Sequence, residues 1–294
     1  MKDKFFETAI AQVFNNTGSA IQNKTAESII PADRSLIVKL LADNLENRIN
    51  KTAAILEITG ELPQVKNVSY ASSISSELHG IPKDLDIAKR KVAQHILALD
   101  KDLEVVFFLM PNGDTYSEEP YSRQQNLTRL NFAFRDYYKG AISTGDSYLG
   151  NVIISASSGL PLSVLAVPVY SSSASSNNTI NGNKSNSNTT LLGIWSGGLN
   201  LTKFSESLQS LNLTDGERIV YVDQNGQKVA DSNIQSFRAN HNESFANLQA
   251  FNNALREQKP GSVMEMINGT RMLVFYEPVQ FHTTTWAVLL LKPL

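Results

Sequence analysis

The sequence predicts an α+β fold in which a long N-terminal helix precedes two tandem modules, each built on an antiparallel sheet. Three observations predict it. First, one pattern occurs twice: a strand, an Asn-Gly turn and a second strand, then a later strand carrying Pro-Val. The first copy is Val105–Tyr116 around Asn112-Gly113, with Leu165–Tyr170 downstream; the second is Arg218–Val229 around Asn225-Gly226, with Val274–Val279 downstream. Asn-Gly between β-prone runs is a strong hairpin signal, because both residues tolerate the positive φ of a type I′ turn. Second, Leu36, Leu40, Leu41, Leu45, Ile49, Ala53 and Leu56 form an apolar stripe of nearly seven helical turns that ends at Gly60. Third, each copy runs strand, strand, helix and then three strands, the order of an antiparallel sheet with helices on one face.

The elements follow in order. Phe5, Phe6, Ala9, Ile10 and Val13 recur at helical spacing; Pro31 interrupts or restarts the pattern, and Asp33 is placed to cap the helix that carries the long stripe. A helix of that length is expected to pack along both modules, or against a copy of itself. Glu61–Pro82 is turn-rich, and a helix over Lys83–Leu99 leads into the first hairpin. Within it, Lys89-Arg90-Lys91 reads as a solvated face. Leu130–Gly145 reads as a short helix entering a loop. Strands are expected over Val152–Ala156, Leu162–Tyr170 and Thr190–Leu199. Between the last two, Ser171–Asn188 is almost entirely Ser, Asn, Thr and Gly, too polar to offset its ordering entropy, and reads as a disordered hairpin tip. In the second copy, helices are expected over Leu201–Leu211 and around Glu243–Arg256, then strands Ser262–Ile267, Arg271–Val279 and Thr285–Leu291.

Composition narrows the function classes. The 294 residues suffice for two domains, hydrophobic residues make up 41%, and the formal net charge is −2. No basic run exceeds three residues, which argues against a nucleic-acid partner. The absence of cysteine excludes disulfides, thiolate metal sites and thiol catalysis. No apolar run approaches the roughly 18–20 residues of a membrane span, and no signal-peptide pattern follows Met1; a segment cut from a longer protein would read this way. Asn-X-Ser/Thr sequons begin at Asn15, Asn23, Asn50, Asn67, Asn126, Asn177, Asn183, Asn188, Asn200, Asn212, Asn242 and Asn268. Chance would supply about four or five, so the excess points to extracytoplasmic exposure, with Asn- and Ser-rich loops as the plainer source.

In order and spacing, several segments resemble the double Cache sensor domain, two PAS-like modules behind a long helix in the extracytoplasmic part of chemoreceptors and sensor histidine kinases. These are Arg135-Asp-Tyr-Tyr-Lys-Gly-Ala, Ser155–Tyr170, the return strand Leu192-Gly-Ile-Trp-Ser-Gly-Gly-Leu and the hairpin Tyr221-Val-Asp-Gln-Asn-Gly. The resemblance divides the chain into a helical segment 1–60, a membrane-distal ligand-binding module 61–200 and a membrane-proximal module 201–294. It places Arg135, Tyr137 and Tyr138 where amino-acid-binding members hold the ligand carboxylate. A guanidinium fork suits a carboxylate, and the rings supply walls and hydroxyl donors. The family's next-strand Tyr and Asp fall on Ile153 and Ser155, and its second amine-binding Asp falls on Gly198. With that acid missing, a carboxylate, another small anion or a neutral metabolite is favoured over an amine. Ser196 would lie among the small residues of the pocket. Trp195 lines it or sits in the core, and Asp146, Tyr148 and Asn151 belong to a covering loop.

Enzyme readings fail on spacing. His79, His95, His241 and His282 are scattered, and Ser196 is one place late for a nucleophile elbow. Glu118-Glu119 reads as a solvated hairpin end, Asp223–Gly226 as a turn rather than a calcium loop, and no phosphate-binding loop or cofactor motif is present. The expectation is a non-catalytic, membrane-anchored sensor without cofactor, binding a small molecule in the distal module and relaying through the proximal one. A homodimer through the Leu36–Leu56 stripe is a further expectation. The alternative is a ligand-free surface interaction or adhesion module on the same fold.

Overall fold

The structure, a computed structural model, describes residues 26–171, 189–214, 216–233, 235 and 243–294, without the side chains before Arg34. Helix α1 spans Ala26–Gly60 and is followed by the short α2 (Pro63–Lys66) and by α3 (Ile87–Leu99). The first sheet contains β1 (Leu103–Leu109), β2 (Thr115–Glu119), β3 (Tyr148–Leu149), β4 (Ile153–Ile154), β5 (Pro161–Tyr170) and β6 (Leu191–Leu199). Helices α4 (Tyr121–Gln125) and α5 (Asp136–Thr144) lie between β2 and β3, and α6 (Leu201–Gln209) leads away from β6. The second sheet contains β7 (Arg218–Val222), β8 (Lys228–Asp231), β9 (Gly261–Ile267), β10 (Thr270–Phe281) and β11 (Thr284–Pro293), with α7 (Gln249–Glu257) between β8 and β9. The strand orders are β2-β1-β6-β5-β3, with β4 beside β5, and β8-β7-β11-β10-β9; every pairing is antiparallel.

Helix α1 packs on β5 and β6 of the first sheet and on β10 and β11 of the second. Ile37, Leu41, Leu45, Ile49 and Leu56 are buried there in one continuous core. That stripe is therefore used on the chain's own sheets and does not offer the seam expected for a second copy. Pro31 does not divide the helix, and Asp33 lies inside it rather than at its cap. The expectations for Phe5–Val13 and for Ser172–Asn188 fall outside the described residues.

Each sheet is covered on both faces, not one. The opposite face of the first carries α5 over Phe107, Leu109 and Val164, and that of the second carries α7 over Val220, Val274 and Leu289. The run Trp286–Leu291 explains this: it is buried throughout, as a strand with core on both sides must be. The second module's helix begins at Gln249, later than the sequence implied, because the chain first makes a bridge between Ser244 and Gln227.

The two hairpins share one geometry, though not the expected type I′ turn. Gly113 N donates to Met110 O (2.8 Å) and Gly226 N to Asp223 O (2.9 Å). Only the glycines, at φ 87° and 76°, are left-handed; Asn112 and Asn225 are not. This is a turn closed by a glycine bulge, and each bulge shifts the register of its hairpin. The type I′ signature, positive φ at both residues, occurs instead at Asn268-Gly269 between β9 and β10. No described helix is long and apolar enough to cross a membrane. Of the sequon asparagines on described residues, Asn50, Asn67, Asn126, Asn212 and Asn268 are exposed, and Asn200 is half-buried as the N-cap of α6.

Candidate functional site

The face of the first sheet turned away from α1 carries an open pocket with a cavity volume of about 40 Å³. Strand alternation aims Val105, Phe107 and Leu109 of β1 and Leu162 and Val164 of β5 into it, while Val106 and Phe108 point back toward α1. The loop before α5 adds Leu127 and Phe132, the first residues of that helix add Arg135 and Tyr137, and the β4 region adds Ile153, Ser155, Ala156 and Ser157. The walls are mostly apolar, with a few convergent polar groups, the usual constitution of a small-molecule site.

Arg135 is the N-cap of α5 in an extended conformation, which swings its side chain over the pocket rather than along the helix. Its Nη2 donates to Ile154 O (3.0 Å), while its buried Nε has no hydrogen-bond partner. Tyr137 meets Phe107 edge to face with centroids 6.0 Å apart, and burial pushes its hydroxyl well above the usual tyrosine range. The neighbouring Asp136 accepts from Asn151 N (2.6 Å), which ties the start of α5 to the loop leading into β4.

Of the residues the sequence singled out, the pocket brings together Arg135, Tyr137, Ile153 and Ser155. The others lie elsewhere. Tyr138 turns beneath the first hairpin, where its hydroxyl donates to Pro111 O (2.6 Å). Trp195 faces the opposite side of the sheet, tilted against Phe108, and donates from Nε1 to Thr59 Oγ1 on α1 (3.0 Å). Ser196 points to the pocket's side, paired in register with Phe107 and Ala166, and its buried hydroxyl is unpartnered without lining the free space. Tyr148 packs so closely on Gly140 that a Cβ there would sit 2.4 Å from its ring. Asp146 is exposed, 3.3 Å from His282 Nδ1. Replacing Tyr138 with phenylalanine is expected to cost about 1 kcal/mol of stability for the lost hydrogen bond and to leave ligand affinity unchanged, as denaturation and binding titrations would reveal.

Glu118, like Thr115 and Ser157, is a polar pocket residue that the sequence did not single out, and among these three it alone is ionisable. Neither it nor Glu119 is solvated; they are 6% and 4% exposed. Simple alternation from Thr115 would turn Glu118 away from the pocket. The bulge instead pairs Leu109 with Thr115 but Phe108 with Ser117, so Phe107 faces Glu118 and the carboxylate joins the pocket wall. Burial pushes its carboxyl up to about 7, opposed by the Ser157 hydroxyl and the charge of Arg123. The solvated hairpin end expected at Glu118-Glu119 is thereby corrected.

The second sheet repeats this frame with every equivalent residue 113 positions later. Val220 faces Asp231 as Phe107 faces Glu118, and Phe245 N donates to Gly226 O as Phe132 N donates to Gly113 O. On that correspondence Leu248 caps α7 as Arg135 caps α5, and Ala250 stands for Tyr137. The second copy thus has no cation at the helix start.

The loop between β3 and β4 also touches the second module. Asp223 Oδ2 accepts from Val152 N (2.8 Å), and Thr284 Oγ1 donates to Leu149 O (3.0 Å). One short segment therefore runs between pocket and second sheet. Among the described residues no cluster of His, Cys, Asp and Glu is arranged to hold a metal ion.

The sequence model described as "Cache domain" matches residues 18–294. Among solved structures, the chain is similar to the extracellular domain of rpHK1S-Z16, described as a histidine kinase, at 14% identity and TM-score 0.68, covering 92% of this chain and 97% of that one. It is also similar to the ligand-binding domain of the Pseudomonas fluorescens chemoreceptor CtaA in complex with L-isoleucine (15%, TM-score 0.55, 88% and 90%). A third similarity is to the Pseudomonas aeruginosa PAO1 chemoreceptor PctC domain in complex with GABA (16%, TM-score 0.55, 87% and 96%). No curated protein matches the sequence.

Proposed function

This chain belongs to the Cache domain family, and on that premise we propose that it is the extracytoplasmic sensor region of a membrane-anchored receptor of the chemoreceptor or histidine-kinase type, with a small carboxylate-bearing molecule as its ligand. The observation that carries the reading is Arg135, a half-buried guanidinium over an apolar and aromatic pocket with its Nε unpartnered. A planar fork with a free donor is suited to a carboxylate. L-isoleucine and GABA, held by the CtaA and PctC domains, both carry that group.

The route from binding to output begins beside the arginine. A ligand drawn onto Arg135 biases the start of α5, Asp136 passes the bias to Asn151, and the adjoining Val152 is held by Asp223 of the second module. Signalling through this segment requires the ligand to favour one of two arrangements of the loop. The second module, with leucine and alanine at the matching positions, serves as the relay.

Calorimetric titration with a panel of amino acids and small carboxylates tests the reading. A ligand of the wild type should bind Arg135→Ala at least about thirtyfold more weakly, the usual scale for losing one partner of a desolvated ion pair. Equal affinity in both proteins would refute the assignment of the pocket.

A further inference from the structure

We propose that Glu118 is a specificity-determining residue of the pocket, accepting from the cationic nitrogen of a ligand whose carboxylate Arg135 holds. The inference rests on the reading of the pocket as a ligand site and assigns the ligand class: a small molecule carrying both a carboxylate and an ammonium.

The argument comes from the two sheets side by side. In the second, Asp231 stands at the position of Glu118. Arg218 meets it through Nε (3.1 Å) and Nη2 (2.6 Å), and Lys228 Nζ lies 3.3 Å away. Those cations occupy the positions of Val105 and Thr115, which line the pocket of the first sheet. The same acid site is therefore satisfied internally in one module and faces open space in the other. The Ser157 hydroxyl beside Glu118 favours its charged form, and the nearby Arg123 pairs with Glu104 instead. No ion pair forms on Glu118 among the described residues. A buried carboxylate without a counter-charge is costly, and an incoming ammonium supplies one. The carboxyl held up near 7 is in keeping with an acid that ionises fully once a cation arrives.

The test uses matched probes on the whole chain at pH 8: the common amino acids and GABA against their hydroxy or des-amino acids, titrated into wild type, Glu118→Gln and Glu118→Asp. The ammonium form should bind wild type at least about thirtyfold tighter than its counterpart. Glu118→Gln should bring the two within about threefold while still binding the des-amino acid, and Glu118→Asp should restore part of the preference. Thermal melts establish that each variant is folded. Carboxylates that bind in an Arg135-dependent way, with no gain from the ammonium or with the gain intact in Glu118→Gln, overturn the role of Glu118 and leave the sensor reading standing. Failure of every probe to bind wild type overturns both.

Discussion

Arg90→Met should destabilise the protein by about 3–5 kcal/mol, the scale for breaking a buried charge network from one side. That is a large part of the roughly 5–15 kcal/mol available to a folded domain. Arg90 is 3% exposed. Its Nη1 donates to Glu119 Oε1 (2.7 Å), and Nη2 donates to Gln124 Oε1 (3.1 Å) and Ile81 O (3.1 Å). It thus joins α3, the end of β2, the last turn of α4 and the loop after α2. Methionine fills much of the volume but returns none of these bonds, leaving the Glu119 carboxylate buried with Gln94 as its remaining side-chain donor. Urea denaturation should register the loss. Arg90→Met/Glu119→Leu should be less destabilised than the sum of the single changes, because removing the orphaned acid removes its desolvation penalty. A loss under about 1 kcal/mol for the single variant would contradict the network as the joint of this corner. The corner also bears on the pocket, since Gln124 accepts from Glu118 N (3.2 Å); a disturbed Arg90 should weaken ligand binding as well as stability.

What the sequence disclosed, and what it withheld, divides along the range of the forces involved. The hairpins were legible because Asn112-Gly113 and Asn225-Gly226 act through local backbone preference. Their turn type was not, because register across the whole hairpin decides whether one residue or two become left-handed. Arg135 and Tyr137 were legible because both lie at one helix start, where four consecutive residues carry the pattern. Glu118 was hidden by the bulge: a single extra residue reverses which face a side chain occupies, and nothing in Thr115–Glu119 announces it. A signal did exist in the duplication, since aligning the hairpins at a spacing of 113 sets Glu118 against Asp231, an acid retained in both copies. Trp195 was ambiguous for a related reason; its face follows from pairing with Phe108 and Val167, which lie 87 and 28 positions away. Lys89 and Arg90 were misread because a short basic run usually sits in water, whereas their partners Tyr116 and Glu119 arrive from a different element.

Lys89→Met, one residue from the most damaging change, should act in the opposite direction. The Lys89 side chain is 1% exposed, with Nζ 3.7 Å from Asp86 Oδ2 and 4.0 Å from the ring centroids of both Phe108 and Tyr116. Nζ has no hydrogen-bond partner, so an ammonium is held by one distant carboxylate and two ring faces. Burial pushes its pKa down from 10.5 to about 8, against the pull of Asp86. A displacement of that size corresponds to about 3 kcal/mol of penalty on the charged form. Methionine has similar length and no charge to desolvate, while Asp86 keeps the Tyr116 hydroxyl (2.8 Å) and its capping bond from the backbone of residue 89 (3.3 Å). The variant should therefore be more stable than wild type at pH 7, by about 1–3 kcal/mol after the lost ring contacts are counted. The sign of the pH dependence follows from the same shift. Between about 8 and 10.5 the unfolded chain binds the proton that the folded chain has released, so wild-type stability rises with pH through this window and is lost as pH falls through 8. Tyr116, whose hydroxyl is pushed upward by burial and by Asp86, contributes the opposite slope once the unfolded tyrosine ionises near 10, which confines the clean comparison to about pH 8–9.5. Across that interval wild-type stability should climb toward that of Lys89→Met, whose own curve lacks the rise. Parallel curves, or a variant less stable than wild type at pH 7, would mean that the ammonium is better accommodated by Asp86 and the two rings than their distances indicate.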